Sequence, residues 1–203
     1  ASQNTDFHIL KGETDVTGNY EITKVDGGFK IVKNSNAITI TSADQSWKYD
    51  GADHSYVKYT VTYGTQTIEG TEGQTEFTLP TGDKITISNP ASVKNVSDTA
   101  NNNNTFTYVL TNAGQYETVG TEYGKLTITT RSVTMTSATD TKEYDGQPLT
   151  NHGVTEGGDG FVTGEGAEYT VTGSQTEVGG EAGNNTFTYA LNAGTLAAKY
   201  AIE

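Results

Sequence analysis

Apolar and polar residues alternate with a period of two along much of this chain. Ile38-Thr39-Ile40-Thr41 and Val133-Thr134-Met135-Thr136 each set apolar side chains against threonines. Val57, Tyr59, Val61 and Tyr63 line one face of a longer run, with Lys58, Thr60 and Thr62 opposite. This period places successive side chains on opposite faces of a strand, and Thr, Val, Ile and Tyr suit a half-buried pleated surface. The alternation predicts strands near 38–42, 56–63, 84–88, 105–110, 125–129, 133–137, 168–172 and 186–191. Clusters of Gly, Asn and Asp separate them, at Gly70 to Gly73, Asn101 to Asn104, Gly157 to Gly160 and Gly179 to Gly183. Such residues supply positive φ and local side-chain hydrogen bonds, so these clusters read as turns. The best helical candidate, Asn89 to Ala100, contains Pro90 and only scattered apolar positions.

The pattern repeats. Tyr49-Asp50-Gly51 returns as Tyr144-Asp145-Gly146, 95 positions on. Phe106, Tyr108 and Leu110 return as Phe187, Tyr189 and Leu191, and Ile85 and Ile87 align with Tyr169 and Val171. Asn4-Thr5-Asp6-Phe7, Asn104-Thr105-Phe106 and Asn185-Thr186-Phe187 correspond, as do Tyr20, Tyr116 and Tyr200. Asp26-Gly27-Gly28-Phe29-Lys30-Ile31 matches the stretch from Glu122 to Ile128. The chain thus divides into 1–35 as the late part of one repeat, 36–131 as a complete repeat and 132–203 as a repeat without its last strand; the alternative frame is 1–100 and 101–203. The third copy reaches Glu203 before a counterpart of Phe29-Lys30-Ile31-Val32, which predicts an open sheet edge. Permuted units, strand exchange with a neighbouring molecule, or fraying of the last residues would each answer that edge.

Many short strands between turn signals predict an all-β fold of tandem Ig-like β-sandwich repeats. A β-grasp-like repeat is the alternative and needs a helix. Tyr116 and Tyr20, each just after a Gly turn, are candidates for a tyrosine corner, in which the phenol caps a backbone group upstream.

Composition narrows the function. With 12 basic and 25 acidic residues the formal charge is −13, and Arg131 is the lone arginine. Nucleic-acid affinity rests on Lys and Arg neutralising phosphates, so no nucleic-acid partner is expected. No stretch approaches the roughly 18 apolar residues of a membrane span, so no membrane insertion is expected. No leader-like stretch is visible either, so a secreted parent would have lost its leader or the chain is an internal piece. There is no cysteine, which excludes a disulfide framework.

Candidate chemistry is sparse. His8, read as lying in a strand, and His54 and His152, read as lying in loops, occupy non-equivalent places. Asp44, Asp50 and Asp53 are close in sequence and leave a weak calcium site as an alternative, but they miss the spacing of a calcium loop. No catalytic, cofactor-binding or metal-binding residue is assigned, and no cofactor is expected. A Lys–Asn isopeptide cross-link has no diagnostic motif here. Leu79-Pro80-Thr81-Gly82 lacks a residue of the sortase signal and reads as a loop. The Tyr-Asp-Gly triplet itself reads as a tight turn, its Asp bonding locally and its Gly adopting a conformation closed to other residues.

Lys142-Glu143-Tyr144-Asp145-Gly146-Gln147-Pro148-Leu149 resembles the signature of the YDG-type tandem repeats of large bacterial cell-surface and adhesin-like proteins. The likeness extends over essentially the whole chain through three partial or complete copies. The middle copy departs from it: Ala52-Asp53-His54 follows the glycine in place of a Pro-Leu pair, so that segment is expected to run differently. That copy is also 14 residues longer between its Gly and its Phe, Gly51 to Phe106 against Gly146 to Phe187. The resemblance implies an extracellular, cell-surface or wall-associated stalk without catalysis, largely monomeric, whose parent meets host glycan or protein. The alternative function is a module that itself binds carbohydrate or host protein, for which the twelve tyrosines and Trp47 supply aromatic faces.

Overall fold

The computed structural model describes residues 8–21, 23 and 25–203. The chain divides into residues 1–32 and residues 33–203. The first unit carries a two-stranded hairpin, β1 (Leu10–Lys11) and β2 (Thr14–Asp15), followed by a 3-10 turn at Thr17–Asn19 that ends on Tyr20. The stretch Asn4-Thr5-Asp6-Phe7 and Ile22 lie outside the described residues. His8 precedes β1 and is exposed, so it does not lie in a strand; it bonds to Asp15 at 2.6 Å.

In the second unit the alternating runs become strands. β3 (Ile38–Ser42), β4 (Gln45–Lys48), β5 (Tyr59–Tyr63), β6 (Gln66–Glu69), β7 (Glu76–Thr78), β8 (Lys84–Ser88), β9 (Thr107–Leu110), β10 (Val119–Glu122) and β11 (Leu126–Thr129) form the first complete repeat. Its sheets are ordered β10-β3-β5-β6, β7-β8-β9 and β11-β4. β3 is antiparallel to β5, with Ile38 opposite Tyr63, whereas β10 and β11 run parallel to β3 and β4. Ile38, Ile40, Tyr59, Val61 and Tyr63 from the first sheet meet Phe77, Leu79, Ile85, Ile87 and Leu110 from or beside the second in one buried cluster. At roughly 25 cal/mol per Å² of apolar surface removed from water, this cluster is the main stabilising feature of the repeat.

The expected strand 56–63 is shorter than the alternation suggested. It begins at Tyr59, and Val57 packs against the core from outside it. β5 and β6 are joined by Gly64-Thr65, with Gly64 at φ 57°, a two-residue hairpin turn that the apolar pattern alone did not reveal.

The next repeat has β12 (Arg131–Ser137), β13 (Val154–Gly158), β14 (Ala167–Val171), β15 (Phe187–Leu191) and β16 (Tyr200–Ile202). β13-β12-β16 form one sheet, with β16 parallel to β12, and β14-β15 form another. Its shorter length is explained here: it has no counterpart of the β6–β7 segment. Its register also corrects the sequence alignment. Ile85 stands opposite Leu110, and Ala167 stands opposite Leu191, so Ile85 and Ile87 correspond to Ala167 and Tyr169, two positions earlier than aligned above. Where the first repeat has Val61 facing its core, the second has Glu156, which accepts the Tyr169 hydroxyl at 2.7 Å.

Among the described residues there is no α-helix, and the Asn89–Ala100 stretch holds only a 3-10 turn at Val96–Asp98, capped by Asn95 and Asp98. The helix that a β-grasp would need is absent from these residues.

Candidate functional site, the junction between repeats

A second buried cluster lies where the two repeats of the second unit meet. β4 and β11 contribute Trp47, Leu126 and Ile128, Tyr49 follows β4, Val93 precedes the 3-10 turn at Val96–Asp98 and Val96 opens it. From the following repeat come Val133, Met135, Phe161, Val162, Tyr200 and Ile202. Only Thr130 separates β11 from β12, so the connection itself leaves little slack. The tyrosine of the first Tyr-Asp-Gly triplet is at the centre: Tyr49 is 1% exposed and meets the Tyr200 ring edge-on at 5.8 Å.

Its hydroxyl needs a partner at that depth. Tyr49 donates to Glu165 Oε1 at 2.5 Å and accepts from Lys199 Nζ at 2.7 Å. Tyr200 donates to Glu165 Oε2 at 2.6 Å and accepts from the Val162 amide at 3.2 Å. Lys199 also reaches Glu165 at 3.2 Å and lies 4.7 Å from the centre of the Tyr49 ring. Burial pushes the Glu165 carboxyl up, but the donors Tyr200, Tyr49 and Lys199 outweigh it, and it ends below the usual range. Burial, then the Glu165 carboxylate, pushes the Tyr200 phenol up to about 12. The Lys199 ammonium is raised by its bond to Tyr49 against the opposing effect of burial.

Around this centre, Lys48 Nζ bonds both oxygens of Asp159 at 2.7 Å, and Arg131 donates to the Gly160 and Asp159 carbonyls, each at 2.7 Å. Lys48, then Ser132, hold the Asp159 carboxyl at about 2.

The network reuses a device inside the first repeat. Thr81-Gly82-Asp83 and Thr163-Gly164-Glu165 are equivalent turns, with Gly82 and Gly164 both at φ 88°. Asp83 accepts the Tyr116 hydroxyl at 2.5 Å, as Glu165 accepts Tyr200. This corrects the tyrosine-corner expectation. The Tyr116 phenol binds the Asp83 and Thr81 side chains rather than an upstream backbone group, and Tyr20 is 57% exposed. It also places Leu79-Pro80-Thr81-Gly82 in a turn whose Leu79 is 2% exposed in the core.

The two Tyr-Asp-Gly triplets share their backbone. Gly51 and Gly146 have φ of 79° and 76°. Asp50 accepts the Ala52 amide at 2.9 Å, and Asp145 accepts the Gln147 amide at 3.0 Å. The segment after the first triplet does not run differently, despite Ala52-Asp53-His54. His54 bridges Val93, and Leu149 bridges Gln175 in the same antiparallel way. What differs is the surroundings of the tyrosine: Tyr144 is 63% exposed.

Three of the other candidates, Asp44, Asp50 and His54, have structural partners. Asp44 accepts the Lys125 amide at 2.6 Å, Asp50 also meets His54 at 2.9 Å, and His54 stacks on Trp47 at 4.9 Å. Among the described residues no group of three or more His, Asp or Glu is placed to hold a metal ion. The buried amides of Asn104 and Asn185 donate to main-chain carbonyls, at Ala43 and Tyr56 and at Ala138 and Asn151, rather than meeting a lysine.

Set against family models, curated proteins and solved structures, the chain matches none of them. Glu165 and Lys199 had no sequence motif of their own. The signal that could have found them was the repeat itself, through the Thr-Gly-acid turn and the residue before the recurring tyrosine.

Proposed function

We infer that this chain is a non-catalytic spacer, made of tandem Ig-like repeats, in a bacterial cell-surface adhesin-like protein. The observation that carries this is the burial of Tyr49 in the next repeat. A signature residue of each repeat becomes core only when a neighbour is docked. Repeats that contact only their neighbours form quasi-one-dimensional arrays, and a shared core with a one-residue connection resists bending at each joint. The resemblance of the Tyr-Asp-Gly signature to surface-protein repeats supports the extracellular setting. The test is to compare the chain with its Tyr49→Ala variant by small-angle scattering, alongside binding to mucin and a glycan array. A spacer gives no glycan or mucin binding, and the variant increases the spread of inter-repeat angles. Saturable binding to one glycan class would replace the spacer with the carbohydrate-binding alternative.

A further inference from the structure

The two repeats of residues 33–203 carry the same acid turn but use its carboxylate differently. In the first repeat both oxygens of Asp83 are met from within that repeat. The Tyr116 hydroxyl donates to Oδ2 at 2.5 Å, and the Asn112 side-chain amide donates to Oδ1 at 2.8 Å. Pro80 stands where the second repeat has Val162 and has no amide to offer Tyr116; the Thr81 hydroxyl meets that phenol at 2.5 Å instead. Gln115, which precedes Tyr116, is exposed.

In the following repeat Tyr200 occupies Oε2 of Glu165. Oε1 takes the Tyr49 hydroxyl from the neighbouring repeat and the Lys199 ammonium, and has no other donor among the described residues. Lys199 stands where the first repeat has Gln115. Its only hydrogen-bond partners among the described residues are the Tyr49 oxygen and Glu165, at 2.7 and 3.2 Å. The side chains of Lys199 and Glu165 are 13% and 15% exposed. Glutamate is one methylene longer than aspartate, so this carboxylate holds its own tyrosine with one oxygen and presents the other across the joint. The Tyr49 oxygen is thereby addressed twice, as a donor by the acid and as an acceptor by the lysine. A phenylalanine there would fill the same aromatic space but leave a mostly buried acid and lysine short of one donor and one acceptor.

We propose that Glu165 and Lys199 make this face of the second repeat a reader of a tyrosyl hydroxyl, so that the neighbour it accepts is a repeat whose triplet opens with tyrosine. The corresponding face of the first repeat, with Asp83 satisfied internally and a glutamine at 115, is not such a reader. Selectivity of this kind needs polar groups that the wrong partner leaves unpaired. The proposal rests on the reading of residues 33–203 as repeats coupled through Tyr49.

The test measures the effect of Tyr49→Phe in two forms of the intact chain. One is the wild type; the other is the Glu165→Asp/Lys199→Gln variant, which gives the second repeat the residues of the first. In denaturant unfolding, Tyr49→Phe is expected to raise the unfolding constant about tenfold in the wild type and less than about twofold in the double variant. Should the double variant not fold, Lys199→Gln alone decides, since it keeps the Glu165 bonds to both tyrosines. In that background the Tyr49→Phe factor is expected to fall to about half its wild-type value or less. An equal factor in the wild type and the variants overturns the proposal, and leaves the coupling of repeats standing if the wild type still unfolds in one transition. Two independent transitions in the wild type would overturn the coupling and the proposal together.

Discussion

At the scale of single residues, the two Tyr-Asp-Gly triplets show that one local structure can serve two environments. Asp and Gly fix the turn in both, whereas the tyrosine is buried in one and exposed in the other. Truncating Tyr49 to Ala removes a fully buried aromatic and is expected to cost about 3–5 kcal/mol. Tyr49→Phe leaves Lys199 and Glu165 without the hydroxyl between them and is expected to cost about 1–2 kcal/mol. Tyr144→Ala, on an exposed ring, is expected to stay within about 0.5 kcal/mol. Denaturant unfolding of the three variants checks this order. The alkaline limb of stability has a definite sign. Tyr200 is raised from 10.0 to about 12, so its contribution is fully present below pH 10.0 and lost as pH rises through about 12. A tyrosinate absorbance titration should therefore show a late-ionising fraction that coincides with unfolding, and Glu165→Gln should bring that fraction to lower pH. On the acid side Asp159 is lowered from 3.8 to about 2, so its contribution is present above 3.8 and lost as pH falls through about 2. An Asp159→Asn variant is expected to show a shallower loss of stability over that interval.

At the scale of elements, all eight strands expected from alternation are present, because β-branched and aromatic residues at every second position have one stable use in a chain without helical periodicity. Eight further strands were not expected, and three of them fail that pattern for a physical reason. β4 reads Gln-Ser-Trp-Lys, β6 Gln-Thr-Ile-Glu and β10 Val-Gly-Thr-Glu, each with too few apolar positions to show a period. They are strands because a neighbour pairs with them, which is tertiary information. The register of Ile85 and Ile87 is likewise set by pairing: Ala167 faces Leu191 as Ile85 faces Leu110, two positions from the apolar match of Tyr169 and Val171. Gly124 tests the parallel β4–β11 pair. Gly124→Val drives a side chain into the Ala43 carbonyl and is expected to destabilise the first repeat by about 1–3 kcal/mol, with hydrogen exchange in β4 and β11 rising before that in β5.

At the scale of the molecule, residues 33–203 are held by two cores, one within the first repeat and one shared across the joint. The sequence made the repeats legible, but not the joint. Tyr49 looked like a turn-flanking tyrosine, and nothing adjacent in sequence connects it to Glu165 or Lys199. Only the fold brings together side chains separated by 116 and 150 positions. No metal enters this account, so a chelator is expected to leave the melting temperature unchanged; a clear drop would restore the acidic cluster around Asp50 as a binding site. The central claim is that neighbouring repeats are coupled by burying the Tyr-Asp-Gly tyrosine of one in the other. Scanning calorimetry of the chain and its Tyr49→Ala variant tests it most directly. The account predicts that residues 33–203 unfold in one cooperative transition in the wild type, and that this splits into two in the variant. Two independent transitions already present in the wild type, with the variant lowering only the first, would contradict it.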